Sequence, residues 1–163
     1  MIVVGDTSIF LNLCRVRQQE LLPALFAQVF APPEVAGEFS DACSRLTRFA
    51  DLSFPDWVIV QPIRQPLAAR APWVVLDAGE SAALELALEI HADAVLMDEA
   101  DGREVAARLG VTAVGVVGIL IRAKRAGCVP EIAPILDEMQ RHARFFLSAA
   151  DRQSALRLAG EAP

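Results

Sequence analysis

Short apolar runs alternate along the chain with longer segments of helical periodicity. This predicts an α/β fold, a central and mostly parallel sheet flanked by helices in three layers. Three observations carry that expectation. Ile2-Val3-Val4 and Ala94-Val95-Leu96-Met97 are apolar throughout rather than alternating, as in strands covered on both faces. The segment from Asp77 to Ile90 opens on a helix-capping pattern and stays helical in spacing. The length, 163 residues, suits one domain of ~100–200 residues.

Each element follows in order. Ile2-Val3-Val4 ends at Gly5-Asp6, and Thr7 or Ser8 is placed to cap a helix running through Leu13. Leu21, Leu22, Leu25 and Phe26 predict a second helix over 19–28. Val29-Phe30-Ala31 reads as a strand stopped by Pro32-Pro33, and proline in the first turn then opens a helix over Glu34 to Phe39. Residues 41–55 read as another short helix and a loop. Trp57 to Val60 reads as a strand, and Arg64 to Pro72 as a proline-bounded loop. The helix from Asp77 reaches Ile90, and the strand 94–97 ends at Asp98. A helix over Gly102 to Leu109 takes Gly110 as its C-cap, followed by a strand over Val111 to Val114. Helices over Val117 to Ala126, closed by Gly127, and over Ile132 to Arg141 complete the body. Ser148-Ala149-Ala150-Asp151 starts a short tail helix.

Composition narrows the function. A hydrophobic content of 54% excludes a disordered chain. The net charge of −6 argues against binding nucleic acid through bulk charge alone, while leaving room for a local basic patch. Cys14, Cys43 and Cys128 are odd in number, with no C-x-x-C, which points to small buried hydrophobes in a reducing cytosol. His91 and His142 have no metal-ligand spacing and read as surface helix residues. The longest apolar run, Val111 to Ile121, has 11 residues against the ~20 that span a bilayer. The N-terminus shows no cationic or extended apolar leader, so a cytoplasmic protein without a membrane partner is expected.

Topology then gathers the carboxylates. Sites in parallel sheets lie outside the carboxyl ends of the strands. Asp6 and Asp98 each follow a strand directly. Glu80 sits in the first turn of a helix running antiparallel to the strand at 94–97, so it belongs to the same edge. Glu38 lies a turn or two beyond Pro32-Pro33, on a helix that also starts there. Each also has a structural role open to it. Asp6 and Asp98 can cap helices, Asp101 more so, Glu80 can close a capping box with Asp77, and Glu38 can be a solvated helix residue. Together, four clustered carboxylates repel one another unless a cation sits between them. An all-oxygen set suits Mg²⁺ or Mn²⁺, ions that position phosphates and stabilise phosphoryl-transfer charge.

The motifs Asp6-Thr7-Ser8, Val35-Ala36-Gly37-Glu38, Leu76-Asp77-Ala78-Gly79-Glu80 and Val95-Leu96-Met97-Asp98-Glu99 ahead of Gly102-Arg103 resemble, in this order, a PIN domain. The likeness is closest to the VapC-like branch and covers about residues 1–140. It implies a PIN-like domain over 1–145 with a C-terminal helical tail over 146–163. It also implies a metal-dependent endoribonuclease, often the toxin of a toxin–antitoxin pair. On this resemblance Asp6, Glu38, Glu80 and Asp98 are the acidic catalytic and metal-binding positions, Asp101 is a further acidic ligand, and Thr7 or Ser8 is a supporting hydroxyl. The third acidic position is Glu80, where many VapC-like sequences carry Asp. RNA as substrate, a cognate antitoxin and a homodimer are the implied partners.

Arg103, near a helix N-terminus, is placed to contact an RNA phosphate or to sit solvated on its helix. Arg122, Lys124 and Arg125 form a basic run that either meets RNA or serves the helix dipole. Other strand-end aspartate families fit less well. A receiver domain needs an acidic pair after the first strand and a lysine after the last, but the single lysine, Lys124, lies deep in a helix. A haloacid-dehalogenase-type phosphatase needs D-x-D, where Ser8 occupies the second position. The rival from another class is an interaction module that keeps the fold, acts through dimerisation or partner binding, and has little nuclease activity.

Overall fold

The computed structural model describes residues 1–64 and 76–162. One sheet carries β1 (Ile2–Gly5), β2 (Gln28–Ala31), β3 (Ile59–Val60), β4 (Ala94–Leu96) and β5 (Ala113–Val114), in the order β3-β2-β1-β4-β5. Every pairing among these strands is parallel. Val3, Val4 and Ala94 to Leu96 are fully buried. That is why the central strands are uniformly apolar, since helices cover both faces.

The helices are α1 (Thr7–Arg15), α2 (Leu21–Leu25), α3 (Pro33–Arg45), α4 (Ala78–Glu89), α5 (Ala100–Arg108), α6 (Val116–Arg125), α7 (Ala133–Glu138) and α8 (Ala149–Leu158). Helix α1 lies against α3 and α6, while α4 packs on β1, β4 and α5. Phe10 and Phe39 are buried, and both meet the Phe54 ring edge-on, at 5.2 and 5.3 Å between centroids. These aromatic contacts clamp α1 and α3 together.

Several local expectations shift. The cap of α1 is Asp6, not Thr7 or Ser8: its side chain accepts the Ile9 N–H. The helix expected over 19–28 shrinks to α2, because Phe26 turns extended and the chain enters β2 at Gln28. The helices expected over 34–39 and from 41 are one, α3, since nothing between Phe39 and Ser44 breaks a helix. Past α7 the chain widens into a π turn, Met139–Ala143, closed by left-handed Arg144. His91 likewise ends α4 in a left-handed conformation, so it is a terminator rather than a helix residue. Of the cysteines only Cys14 is buried, and Cys128 is exposed. The loop expected over Arg64 to Pro72 lies outside the described residues apart from Arg64.

The tail helix α8 packs Ala155, Leu156 and Ala159 into the core. Glu161 then fastens it. One carboxylate oxygen accepts from Lys124 Nζ at 2.8 Å and the Ile132 N–H at 2.6 Å, and the other accepts the Ala133 N–H at 3.0 Å. Arg125 adds a bond to the Leu158 carbonyl. Two members of the basic run, Lys124 and Arg125, are therefore engaged by the tail.

The strand order reverses between β1 and β4. β1 pairs with β2 on one side, and the chain returns through α4 to pair β4 on the other. A parallel sheet opens a crevice at such a point, beyond the strands' carboxyl ends.

Candidate active site

Asp6 and Asp98 occupy that crevice. Gly5 pairs with Leu96 in the β1–β4 register, and the Asp6 N–H donates to the Leu96 carbonyl at 3.0 Å. The two aspartates thus leave neighbouring strands at nearly the same height. Asp6 is 2% exposed. Its Oδ1 accepts from the Ile9 N–H at 3.1 Å and the Ser8 hydroxyl at 2.9 Å. Burial pushes its carboxyl up to about 7 against these two bonds, and the charges of Asp98 and Glu80 push the same way. Burial also lifts Asp98, to about 6, although the Val116 N–H and the Arg103 guanidinium favour its charged form. Asp98 Oδ1 accepts that Val116 N–H at 2.9 Å, while Oδ2 is buried with no hydrogen-bond partner.

Gly115 makes this posture possible. A Cβ there would stand 2.5 Å from Asp98 Oδ1 and 3.2 Å from Arg103 Nη1.

The glutamates are held by backbone donors. Asp77 caps α4 by accepting the Glu80 N–H at 2.8 Å, and Glu80 Oε2 accepts the Asp77 N–H at 3.2 Å. The capping box open to Glu80 from sequence is therefore present. Burial raises the Glu80 carboxyl above its ordinary value. Glu38 Oε1 accepts the Gly79 N–H at 2.8 Å and its Oε2 accepts the Thr7 hydroxyl at 2.7 Å. Glycine at 79 leaves room for this contact, because a Cβ there would displace the Glu38 carboxylate.

Asp6, Thr7, Ser8, Glu38 and Glu80 line one cavity of about 250 Å³. Asp101 lies in an adjoining pocket that shares Glu80 and Glu99 with it. Asp98 and Arg103 face a separate groove of about 680 Å³. Sequence reasoning missed Glu99 as a wall of the cavity, and also Gly79 and Gly115. Glu99 was findable from its place beside Asp98 at the end of β4. The glycines were not, because their role depends on contacts from distant segments.

The donor set is all oxygen, and burial makes the charged forms of two of its carboxyls costly, raising Asp6 to about 7 and Asp98 to about 6. One of them keeps an unpartnered oxygen. Such a set fits a hard divalent cation. Among the described residues no three acidic, histidine or cysteine side chains form a ready ligand cage. Backbone bonds hold Glu38 and Glu80 in place. Mg²⁺ is compatible with that arrangement, since it keeps several waters and takes only one or two carboxylates.

Comparison with known proteins agrees with this architecture. No curated protein matches the chain. Among solved structures it is similar to a PilT N-terminus domain protein from the hyperthermophilic archaeon Sulfolobus solfataricus P2. The TM-score is 0.51 at 22% identity, over 74% of this chain and 91% of that one. At that identity the likeness speaks for the fold. The model of a family described as DUF3368, a PIN domain, matches residues 2–161, and the chain belongs to the PIN-domain family.

Proposed function

We propose that this chain is a VapC-like endoribonuclease that uses Mg²⁺ or Mn²⁺ to hydrolyse RNA phosphodiester bonds, as the toxin of a toxin–antitoxin pair. PIN domains are generally nucleases and typically use divalent metals. The observation that carries the reading in this chain is the pair Asp6 and Asp98. They leave adjacent strands, are raised by burial to about 7 and about 6, and include one buried oxygen without a partner. A cation offsets that unfavourable charge.

In this reading Asp6 and Asp98 hold the ion, with Glu38, Glu80 and Asp101 on the surrounding rim. When bound, the ion supplies water activation and neutralisation of charge on the phosphate. Ser8 engages Asp6 Oδ1, while Thr7 fixes Glu38. Arg103 faces the groove beside Asp98 as a phosphate contact. A cognate antitoxin and a second copy of the chain are the proposed protein partners. The test is cleavage of RNA by the purified protein with and without Mn²⁺. Activity that needs Mn²⁺ and vanishes in Asp6→Asn supports the reading, whereas cleavage unchanged in Asp6→Asn ends it.

A second reading is an interaction module with weak catalysis. It is favoured by the bonds from the Thr7 hydroxyl and the Gly79 and Asp77 N–H groups that hold Glu38 and Glu80 in structural roles. Thermal melting separates the two readings. Mn²⁺ stabilisation that is lost in Asp98→Ala supports a metal site, and no response at millimolar Mn²⁺ favours the module.

A further inference from the structure

A second cavity opens at the far end of α1. Asp6 caps the helix at one end, and ~13 Å along the axis its last residue, Arg15, and the turn that follows line a space of about 750 Å³. The carboxylate cavity measures about 250 Å³. The opposite walls are Asp51 and Leu52, from the connection after α3, and Glu138 and His142, from the end of α7 and its π turn. Two backbone irregularities meet here. The π widening carries His142, and such widenings recur at functional sites. Arg17 is left-handed, with φ 58°, at a helix end where glycine is the usual residue. Its guanidinium is exposed, lines the cavity and has no hydrogen bond or ion pair among the described residues.

The acidic groups of the lining are already offset. Asp51 accepts from Arg15 Nη1 at 3.0 Å. Glu138 pairs with Arg141 at 2.8 Å and with His142 Nε2 at 3.2 Å. The groups left open are Arg17 and two buried atoms without partners, Arg15 Nε and Gln19 Oε1. These are two of the four such side-chain atoms among the described residues, and Asp98 Oδ2 at the carboxylate site is another. An unfilled buried donor and acceptor in one lining call for a guest that supplies the opposite groups. The Arg15 side chain is 24% exposed, so a guest can reach its guanidinium. A free guanidinium selects an oxyanion, because its planar fork matches phosphate. The space is far larger than a bare ion needs and falls within the ~300–1,000 Å³ of small-molecule sites. Val16 and Leu52 add apolar wall beside the open donor and acceptor, a surface that suits a heterocycle. We propose that this cavity binds a nucleoside monophosphate. Its phosphate meets Arg17 and His142, and its base lies against Val16 and Leu52, donating to Gln19 and accepting from Arg15. The site stands apart from the nuclease reading, since it shares no residue with the carboxylate cavity.

Isothermal titration calorimetry in EDTA tests it, with divalent ions kept from the carboxylates. The ligands are the adenosine, guanosine, cytidine and uridine monophosphates, compared with inorganic phosphate, ribose 5-phosphate and the four nucleosides. At least one monophosphate binds more tightly than phosphate, ribose 5-phosphate and its own nucleoside. Arg17→Gly and Gln19→Met separate binding from structure. Glycine suits the left-handed turn, and methionine replaces an unsatisfied amide with an apolar chain of similar length, so both variants melt no lower than wild type. Arg17→Gly nevertheless weakens the nucleotide roughly tenfold, as for one hydrogen bond to a charged group, and Gln19→Met weakens it by a smaller factor. A residue kept only for structure would not lower binding while melting stays intact. Unchanged affinity in Arg17→Gly overturns the proposal. So does ribose 5-phosphate or phosphate binding as tightly as the best nucleotide, or no binding by any monophosphate. Binding lost in Arg103→Gln and kept in Arg17→Gly places the nucleotide beside Asp98 and overturns it as well.

Discussion

The Thr7 hydroxyl donates to Glu38 Oε2 at 2.7 Å, while the other oxygen of that carboxylate accepts the Gly79 N–H at 2.8 Å. One half-buried side chain on α3 therefore ties down the first residue of α1 and the first turn of α4. The geometry of the cavity depends on this joint, since Asp6 and Glu80 sit one residue away from its two ends.

Glu38→Ala removes an acceptor for two donors and is expected to cost about 2 kcal/mol of stability, from unpaired polar groups beside a cavity. Glu38→Gln is milder. Its amide oxygen still accepts the Gly79 N–H, and its NH₂ can donate to Thr7 Oγ1 in place of the present bond. The expected outcome in urea unfolding is near wild-type stability for Glu38→Gln and a clear loss for Glu38→Ala. Both variants should lose Mn²⁺-dependent cleavage. Retention of full cleavage by Glu38→Gln would show that Glu38 is scaffold alone.

Asp6 makes the fold sensitive to pH in an uncommon direction. Its carboxyl rises from 3.8 to about 7 on folding, so between those values the folded chain binds more protons than the unfolded one. Stability from this group is full below about pH 4, falls as pH rises toward 7 and is lost above it. Asp6→Asn keeps the acceptor for Ile9 and Ser8 without the charge. In metal-free buffer at pH 7.5 it should be more stable than wild type, by at most ~4 kcal/mol. The difference should shrink toward zero near pH 4. Mn²⁺ should reverse the order, stabilising wild type and not the variant. Equal melting of the two proteins from pH 4 to 8 would contradict a buried, charge-averse Asp6.

What was legible from sequence tracks how local each feature is. The Asp77–Glu80 box occupies four consecutive residues and could be read directly. Asp6 and Asp98 were legible because a general topological rule places strand-end residues at one edge, whatever the strand order. The choice of cap for α1 was ambiguous, since Asp6, Thr7 and Ser8 are all good capping residues in succession. Packing settled it for Asp6 and released Thr7 to bond Glu38. The Glu38–Gly79 contact spans 41 residues and the Glu161–Lys124 contact 37, and no short window contains either. Asp6, Glu38 and Glu80 line one cavity and Asp98 the neighbouring groove, close enough for its charge to act on Asp6. The hydrogen bonds that orient these carboxylates include partners 18 to 41 residues away, which no short sequence pattern contains.

Gly115 tests the posture of Asp98. An added Cβ would stand 2.5 Å from Asp98 Oδ1, so Gly115→Ala must push the carboxylate off the Val116 N–H or shift the start of α6. Overpacking of this kind typically costs about 1–3 kcal/mol. The more telling readout is the metal. Gly115→Ala should weaken Mn²⁺ stabilisation at least as much as it lowers basal melting. Gly118→Ala, three residues on, meets only Val114 Cγ1 at 3.1 Å and serves as the control with an intact Mn²⁺ response. An unchanged Mn²⁺ response in Gly115→Ala would mean that Asp98 does not take part in binding the ion.

Glu161 should make the C-terminal helix part of the cooperative unit. Its carboxylate accepts from Lys124 Nζ and from the Ile132 and Ala133 N–H groups, so it caps α7 and pairs the only lysine at once. The Lys124 hydrogen bond and the two backbone bonds outweigh burial and hold its pKa below the ordinary 4.5. A carboxyl depressed on folding adds stability that is present above the unfolded value and lost as pH falls through the lower folded one. Glu161→Gln keeps shape and one acceptor but loses the charge. It is expected to cost about 1–3 kcal/mol at pH 7, as for hydrogen bonds to a charged group. The cost should fade as pH falls below 4.5 and through the lower folded value, where the wild-type carboxyl protonates. Lys124→Met in the same background should add little further loss, because the two side chains share one interaction. Hydrogen exchange gives the spatial readout. In wild type the amides of α8 should exchange with those of α6, and in Glu161→Gln they should exchange earlier as a separate, less stable segment. Coincident exchange of both helices in the variant would show that apolar packing of Ala155, Leu156 and Ala159 holds the tail without the latch.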